Sequence, residues 1–115
     1  MKKTLYAFVG LLMVLAACST VKLVQPTQAD ADRGVQKYSN LTLADLNQGK
    51  TIYEQECALC HGLKNPASKN EDQWKKIVPN MVEKVNKKKG KVAIDQKSEE
   101  ILLQYLITMS TVPVK

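Results

Sequence analysis

Two cysteines and a histidine stand close together in the middle of the sequence. Cys57 and Cys60 are separated by two residues, and His61 follows directly. A thiol can add across a porphyrin vinyl group to form a thioether, and this spacing lets one helical turn reach two neighbouring vinyl groups. The pattern Cys-x-x-Cys-His therefore predicts covalent attachment of one haem c through Cys57 and Cys60, with His61 as the proximal iron ligand.

Two other uses of paired cysteines fit the sequence less well. A structural zinc site takes four ligands, whereas Cys57, Cys60 and His61 supply three. A thioredoxin-like redox pair belongs in a βαβ unit, and the sequence contains no strong strand pattern. Haem attachment is therefore the favoured interpretation.

The sixth iron ligand can be narrowed by elimination. His61 is the one histidine of the chain, so a second imidazole from this chain is excluded. His/Met ligation is common in electron-transfer haem proteins and raises the reduction potential. Met81 follows the motif on an apolar helical stripe and is the predicted distal ligand, although methionine also fills core gaps. Met109 is the alternative methionine, and a lysine, a water or an open position are the others.

The first 17 residues have the pattern of a lipoprotein-type signal peptide. Two lysines precede an uncharged apolar run that is too short for a comfortable membrane span, and small residues follow it. Leu15-Ala16-Ala17-Cys18 resembles the bacterial lipobox, and the resemblance implies lipid modification of Cys18 with cleavage before it. An uncleaved anchor is the alternative. The expected location is a bacterial membrane, facing the periplasm or the extracytoplasmic space.

Residues 18–40 are predicted to be a lipid-anchored tether, because their apolar periodicity is weak and polar residues, proline and glycine are scattered through them. The alternative is that part of this segment packs on the domain. Residues 41–115 then form one small domain, as the length of the chain suggests.

Three helices are expected in that domain. Thr42 and Asp45 have capping-box spacing at the start of the first helix. Asn70 precedes the clearest amphipathic stripe of the chain, which Pro79 should kink or split and Gly90 should end. The last helix is expected to start near Asp95 or Ser98. The absence of a strand pattern makes the predicted fold class all-α.

At this point the chain, over about residues 44–109, resembles a class I c-type cytochrome in a lipoprotein-anchored bacterial form. Gly49–Tyr53, before the haem motif, is similar to the N-terminal helix of that family. Tyr105-Leu106 is similar to the aromatic partner on the crossing helix, and Trp74–Met81 to a Trp-then-Met helix of short bacterial members. The resemblance implies a small all-α domain wrapped on one covalent haem, with one haem edge exposed.

Together these features predict an electron carrier rather than an enzyme. It would pass single electrons between redox partner proteins at the outer face of a bacterial membrane, with no small-molecule substrate and no nucleic acid partner. Two alternatives stay open. One is a peroxidase-like haem enzyme or gas sensor with an open sixth position, and the other is a haem subunit of a larger respiratory complex.

The formal charge of the chain is +6, and part of it is concentrated in a short lysine-rich stretch. We call this stretch the basic cluster; it consists of Lys84, Lys87, Lys88, Lys89 and Lys91. Complementary charge at a docking surface mainly accelerates association, so the cluster is a candidate contact for an acidic redox partner. The alternative is a solvated helix end, where lysines are favoured by the helix dipole.

Overall fold

A computed structural model describes residues 23–57 and 62–112 of the chain. Within these residues there are four α-helices, one short 3₁₀ turn and no β-strand, which confirms the all-α class for the described part. The elements are α1 (Gln28–Gly34), α2 (Leu43–Glu56), the 3₁₀ turn (Pro66–Ser68), α3 (Glu71–Lys89) and α4 (Gln96–Ser110). None of these helices is both long and apolar enough to cross a membrane.

Each of the three longer helices begins at a residue whose side chain caps the first turn. Thr42 and Asp45 form a reciprocal capping box, in which Thr42 Oγ1 accepts a hydrogen bond from the Asp45 N–H at 3.1 Å. Asn70 forms a second capping box at the start of α3, and Asp95 caps α4. These bonds satisfy N–H groups that have no partner within the helix. The predicted starts of all three helices are therefore confirmed.

Helix α3 is continuous through Pro79, so the expected split does not occur. Trp74, Val78 and Val82 are buried on one face of α3, on both sides of the proline. Because this face is packed along its length, tertiary contacts hold the two halves of the helix in one element despite the lost N–H donor. The helix ends where predicted, at Gly90, whose φ of 66° is the left-handed conformation that glycine adopts most easily.

Helix α4 is the centre of the domain, since it packs against each of the other helices and against the 3₁₀ turn. Its most extensive contact is with α2. At their crossing, a Cβ added to Gly49 would lie 2.3 Å from the Cβ of Tyr105 and 2.9 Å from the carbonyl oxygen of Ile101. The glycine is therefore what allows the two backbones to approach this closely.

Residues 23–40 are packed rather than extended. Helix α1 contacts both α2 and α4, and Ala31 on its inner side is 1% exposed. The described part of the tether predicted over 18–40 is thus packed on the domain, which agrees with the alternative stated for this segment. Thr27 and Asp30 form a capping box that starts a short helix, and contacts with α2 and α4 hold that helix in place.

Candidate cofactor site

The first cysteine of the predicted haem motif lies at the end of α2. Cys57 is the C-cap residue of that helix, its N–H donates to the Tyr53 carbonyl, and its side chain is buried at 5% exposure. Cys60 and His61 lie outside the described residues, as does the predicted lipidation residue Cys18. Of the two cysteines and the histidine of the motif, the structure therefore describes Cys57.

Cys57 borders a cavity of about 210 Å³ that opens to solvent at its mouth. This volume is below the range of about 300–1,000 Å³ that is usual for cofactor and ligand pockets. Among the described residues that line this cavity, most have apolar side chains and three are lysines. The lining residues are Tyr53, Cys57, Gly62, Leu63, Lys64, Lys69, Trp74, Ile77, Met81, Lys84 and Val85.

The two described methionines that were candidates for the distal ligand lie in different surroundings. Met81 is half-buried on α3 and lines the cavity that Cys57 also borders. Met109 is 3% exposed within the apolar core and belongs to α4. Of the pair, Met81 therefore has a thioether in the wall of the cavity beside Cys57.

Two aromatic side chains fasten the loop that follows the predicted haem motif. The Tyr53 hydroxyl donates to the carbonyl of Lys64 at 2.7 Å and accepts from the N–H of the same residue at 3.1 Å. The indole N–H of Trp74 donates to the Pro66 carbonyl at 2.9 Å. The two rings meet edge to face with their centroids 6.2 Å apart. We call Tyr53 and Trp74 the aromatic clamp, because α2 and α3 hold this loop through them.

The Tyr53 hydroxyl is neutral over the physiological range. Burial raises the pKa of Tyr53 to about 12; the backbone hydrogen bond of Lys64 opposes the shift, and the nearby Cys57 adds to it. A neutral phenol keeps its proton for the Lys64 carbonyl, so the clamp does not switch with moderate changes of pH.

The clamp was not predicted from the sequence, in which Tyr53 and Trp74 were noted for their similarity to helices of the resembled family. A buried tyrosine hydroxyl or tryptophan N–H nearly always needs a partner, so each ring could have been expected to bond a nearby polar group. What the pattern does not contain is the identity of that group, because the partners are backbone atoms of an irregular loop.

The residues present fit an apolar macrocycle bound through a cysteine. The walls supply the apolar surface that such a group requires, and Cys57 lies at the C-terminal end of α2, where it borders the cavity. Lys64, Lys69 and Lys84 add positive charge at the same cavity, which would suit the carboxylates that a haem carries. Among the described residues no group of three or more His, Cys, Asp or Glu side chains is arranged to hold a bare metal ion.

The basic cluster is partly neutralised by acidic neighbours. Lys89 Nζ lies 2.5 Å from a carboxylate oxygen of Glu56, at the end of α2. Lys87 pairs with Glu83 at 3.6 Å along α3. Lys84 is the member of the cluster that also lines the cavity. Its charge is thus placed where a molecule approaching the cavity mouth would meet it.

Comparison of the sequence with protein-family models and with curated proteins, and of the fold with solved structures, gave no match.

Proposed function

We propose that this chain is a monohaem c-type cytochrome that transfers single electrons between redox partner proteins at the outer face of a bacterial membrane. One observation carries the proposal: Cys57, the first cysteine of a Cys-x-x-Cys-His motif, and Met81, 24 positions later, line the same largely apolar cavity. The motif specifies how the cofactor is attached, and the largely apolar walls of the cavity have the chemistry that the cofactor needs.

Each residue has a defined part in this proposal. Cys57 and Cys60 would hold the haem covalently, and His61 and Met81 would bind its iron. The bound haem supplies a reversible one-electron iron couple, whose potential His/Met ligation raises. The protein contributes position and a dry environment, since the aromatic clamp fixes the loop beside the cavity and apolar walls exclude water.

The lipid anchor belongs to the same proposal. Cys18, modified at the end of a lipoprotein signal peptide, would hold the domain at the membrane surface. Several acyl chains on one residue give a stable attachment, because each buried CH₂ contributes about 0.8 kcal/mol. Redox partners would then be met at that surface, with the lysines around the cavity favouring partners that present acidic groups.

The optical spectrum tests ligation directly. The oxidised wild-type protein should be low-spin and show the weak near-infrared band of methionine bound to ferric iron. Met81→Leu should lose this band and have a lower reduction potential, because the thioether ligand is removed while side-chain volume is kept. Met109→Leu, a matched change in the core, should retain both the band and the potential.

Two results would overturn the proposal in different ways. A high-spin wild type that binds carbon monoxide readily would favour the enzyme or sensor with an open sixth position. Loss of the band in Met109→Leu but not in Met81→Leu would transfer the ligand role to Met109. Covalent attachment is checked separately, because Cys57→Ser and Cys60→Ser should each leave one thioether when the haem is digested out with its peptide.

A further inference from the structure

The chain is fastened to the domain from the first residues that the structure describes. Leu23 packs against the apolar core. Two residues later, the Gln25 side-chain amide donates to Asn47 Oδ1 of α2 at 2.7 Å. The first described residues are therefore held to the domain in two ways: Leu23 packs against the core, and Gln25 forms a hydrogen bond with the second turn of α2.

The same segment is held at its other end by α4. Arg33 donates to the Thr108 carbonyl and to the Thr111 hydroxyl, both at 3.0 Å, and forms an ion pair with the buried Asp30 at 2.9 Å. A Cβ added to Gly34 would lie 2.4 Å from the Leu41 side chain and 3.0 Å from a methyl group of Thr108. We call residues 23–41 the strap, since contacts with two helices fix it along its length.

The strap shortens the connection between the domain and the proposed lipid. Five residue steps separate Cys18 from Leu23, and we call this connection, residues 18–23, the leash. At full extension it spans about 17 Å. A flexible tether over 18–40 would instead have an average span of about 25 Å and a maximum of about 75 Å. The packed strap therefore reduces the largest reach of the domain roughly fourfold.

The strap joins α2 far from the cavity. Asn47 lies in the second turn, whereas Cys57 caps the other end of the helix. Ten residues of α-helix rise about 15 Å, so the attachment point and the cavity are separated by about that distance along the helix axis. The leash and the two further residues to Gln25, whose side chain contacts Asn47, span at most about 24 Å. With the rise along α2, this confines the cavity to on the order of 40 Å from the lipid surface.

We infer that this protein is a short-leashed carrier, which exchanges electrons with a membrane-bound redox protein whose docking site lies within on the order of 40 Å of the same lipid surface. The inference rests on the proposed lipidation of Cys18 and on haem in the cavity. A partner beyond this distance cannot be reached, because the strap is packed on the domain and adds no length to the flexible chain between the lipid and the fold. The partner is thus defined by the distance of its docking site from the membrane surface as well as by its charge.

The test measures how closely the haem approaches the lipid. The full-length, lipidated, haem-loaded protein is reconstituted into vesicles of phosphatidylethanolamine and phosphatidylglycerol that contain a lipid with a fluorophore on its headgroup. Haem quenches that fluorophore by energy transfer, which falls steeply with distance. Two variants carry the same insertion of 20 Gly/Ser residues, one between Thr20 and Val21 and the other between Ser39 and Asn40.

The two insertions separate a strap from a flexible tether. The insertion before the strap adds a span of about 25 Å and should reduce quenching at least about twofold. The insertion between Ser39 and Asn40 lies near the end of the strap, at two exposed residues that follow the contacts of Gln25 and Arg33, so it should enlarge a surface loop and leave quenching as in the wild type. Equal reductions in both variants would show that the strap is not fastened, and no reduction in either would show that the leash does not set the distance. Either result overturns the inference.

Failure of the lipid anchor is recognised by flotation. If wild type and Cys18→Ser both fail to float with the vesicles, the anchor in the proposed function is wrong and the inference falls with it. If the insertion between Ser39 and Asn40 prevents folding, native-state trypsin digestion of the wild type tests instead whether the strap is fastened to the domain. The bond after Arg33 should resist cleavage as long as the core does, and rapid cleavage there would contradict a fastened strap.

Discussion

Replacement of Gly49 by alanine should separate α2 from α4 at the centre of the fold. The new methyl carbon would lie 2.3 Å from the Cβ of Tyr105 and 2.9 Å from the Ile101 carbonyl oxygen. Carbon atoms in good contact are about 3.5–4 Å apart, so the first of these distances is far too short. Neither neighbour can rotate away, because one is a Cβ and the other is a backbone atom. The helices themselves must move.

The expected size of the effect follows from two opposing terms. Overpacking in a well-packed core typically costs about 1–3 kcal/mol, and the rigid neighbours place this substitution at the upper end. Alanine in a helix interior is favoured over glycine by about 1 kcal/mol. The net loss in the free energy of unfolding should therefore be about 2 kcal/mol for Gly49→Ala. For a domain of this size the midpoint of thermal unfolding should fall by about 8–16 °C.

Urea and thermal unfolding of the purified protein, followed by far-ultraviolet circular dichroism, measure this loss. Gln48→Ala is the control, because Gln48 precedes Gly49 on α2 but is exposed, and its effect should stay below about 0.5 kcal/mol. If Gly49→Ala were as stable as the wild type, or more stable by the helix-propensity term, the close crossing at this glycine would be refuted.

Two further changes test the clamp and the ion pairs. Tyr53→Phe should lower the free energy of unfolding by about 1–3 kcal/mol, because the Lys64 N–H and carbonyl both lose their partner; unchanged urea unfolding would contradict the clamp. Hydrogen bonds from Lys37 and Lys75 lower the pKa of Glu71 to about 2, so its contribution to stability is present above its unfolded pKa of 4.5 and is lost as the pH falls through about 2. Glu71→Gln should therefore lose less thermal stability than the wild type between pH 4.5 and 2, and an identical loss in both proteins would assign acid unfolding to other groups.

Helix starts could be predicted from the sequence because the information is local. Thr42 and Asp45 are three residues apart, and the same side-chain and backbone bonds that the spacing suggests are formed. The same argument applies to Thr27 and Asp30, which start α1. That helix was missed because it is 7 residues long and buries small side chains such as Ala31, so it shows no apolar stripe. Its stability comes from contacts with distant α4.

The candidate site could be predicted in part for the same reason. Cys57 belongs to a local motif. Met81 lies on an apolar helical stripe, and such a stripe predicts which face of the helix points toward the interior. The bonds of the clamp join Tyr53 and Trp74 to the backbone of an irregular loop, and no side-chain pattern encodes such partners. The strap likewise depends on Arg33 reaching a helix that lies 75 positions further along the chain.

The helix crossing and the cavity wall are one continuous packing arrangement. Tyr105, which Gly49 admits against α2, lies with its ring centroid 6.2 Å from that of Tyr53, and Tyr53 in turn lies 6.2 Å from Trp74. A shift of α4 at the crossing must therefore displace the clamp and, through it, the loop beside the cavity. Gly49→Ala should for this reason alter the spectrum of the proposed haem as well as stability, whereas Tyr53→Phe should loosen the loop and leave the crossing intact. The proposed electron transfer would gain from this arrangement, because a cavity wall packed against the central helix pair resists rearrangement when the charge on a bound iron changes.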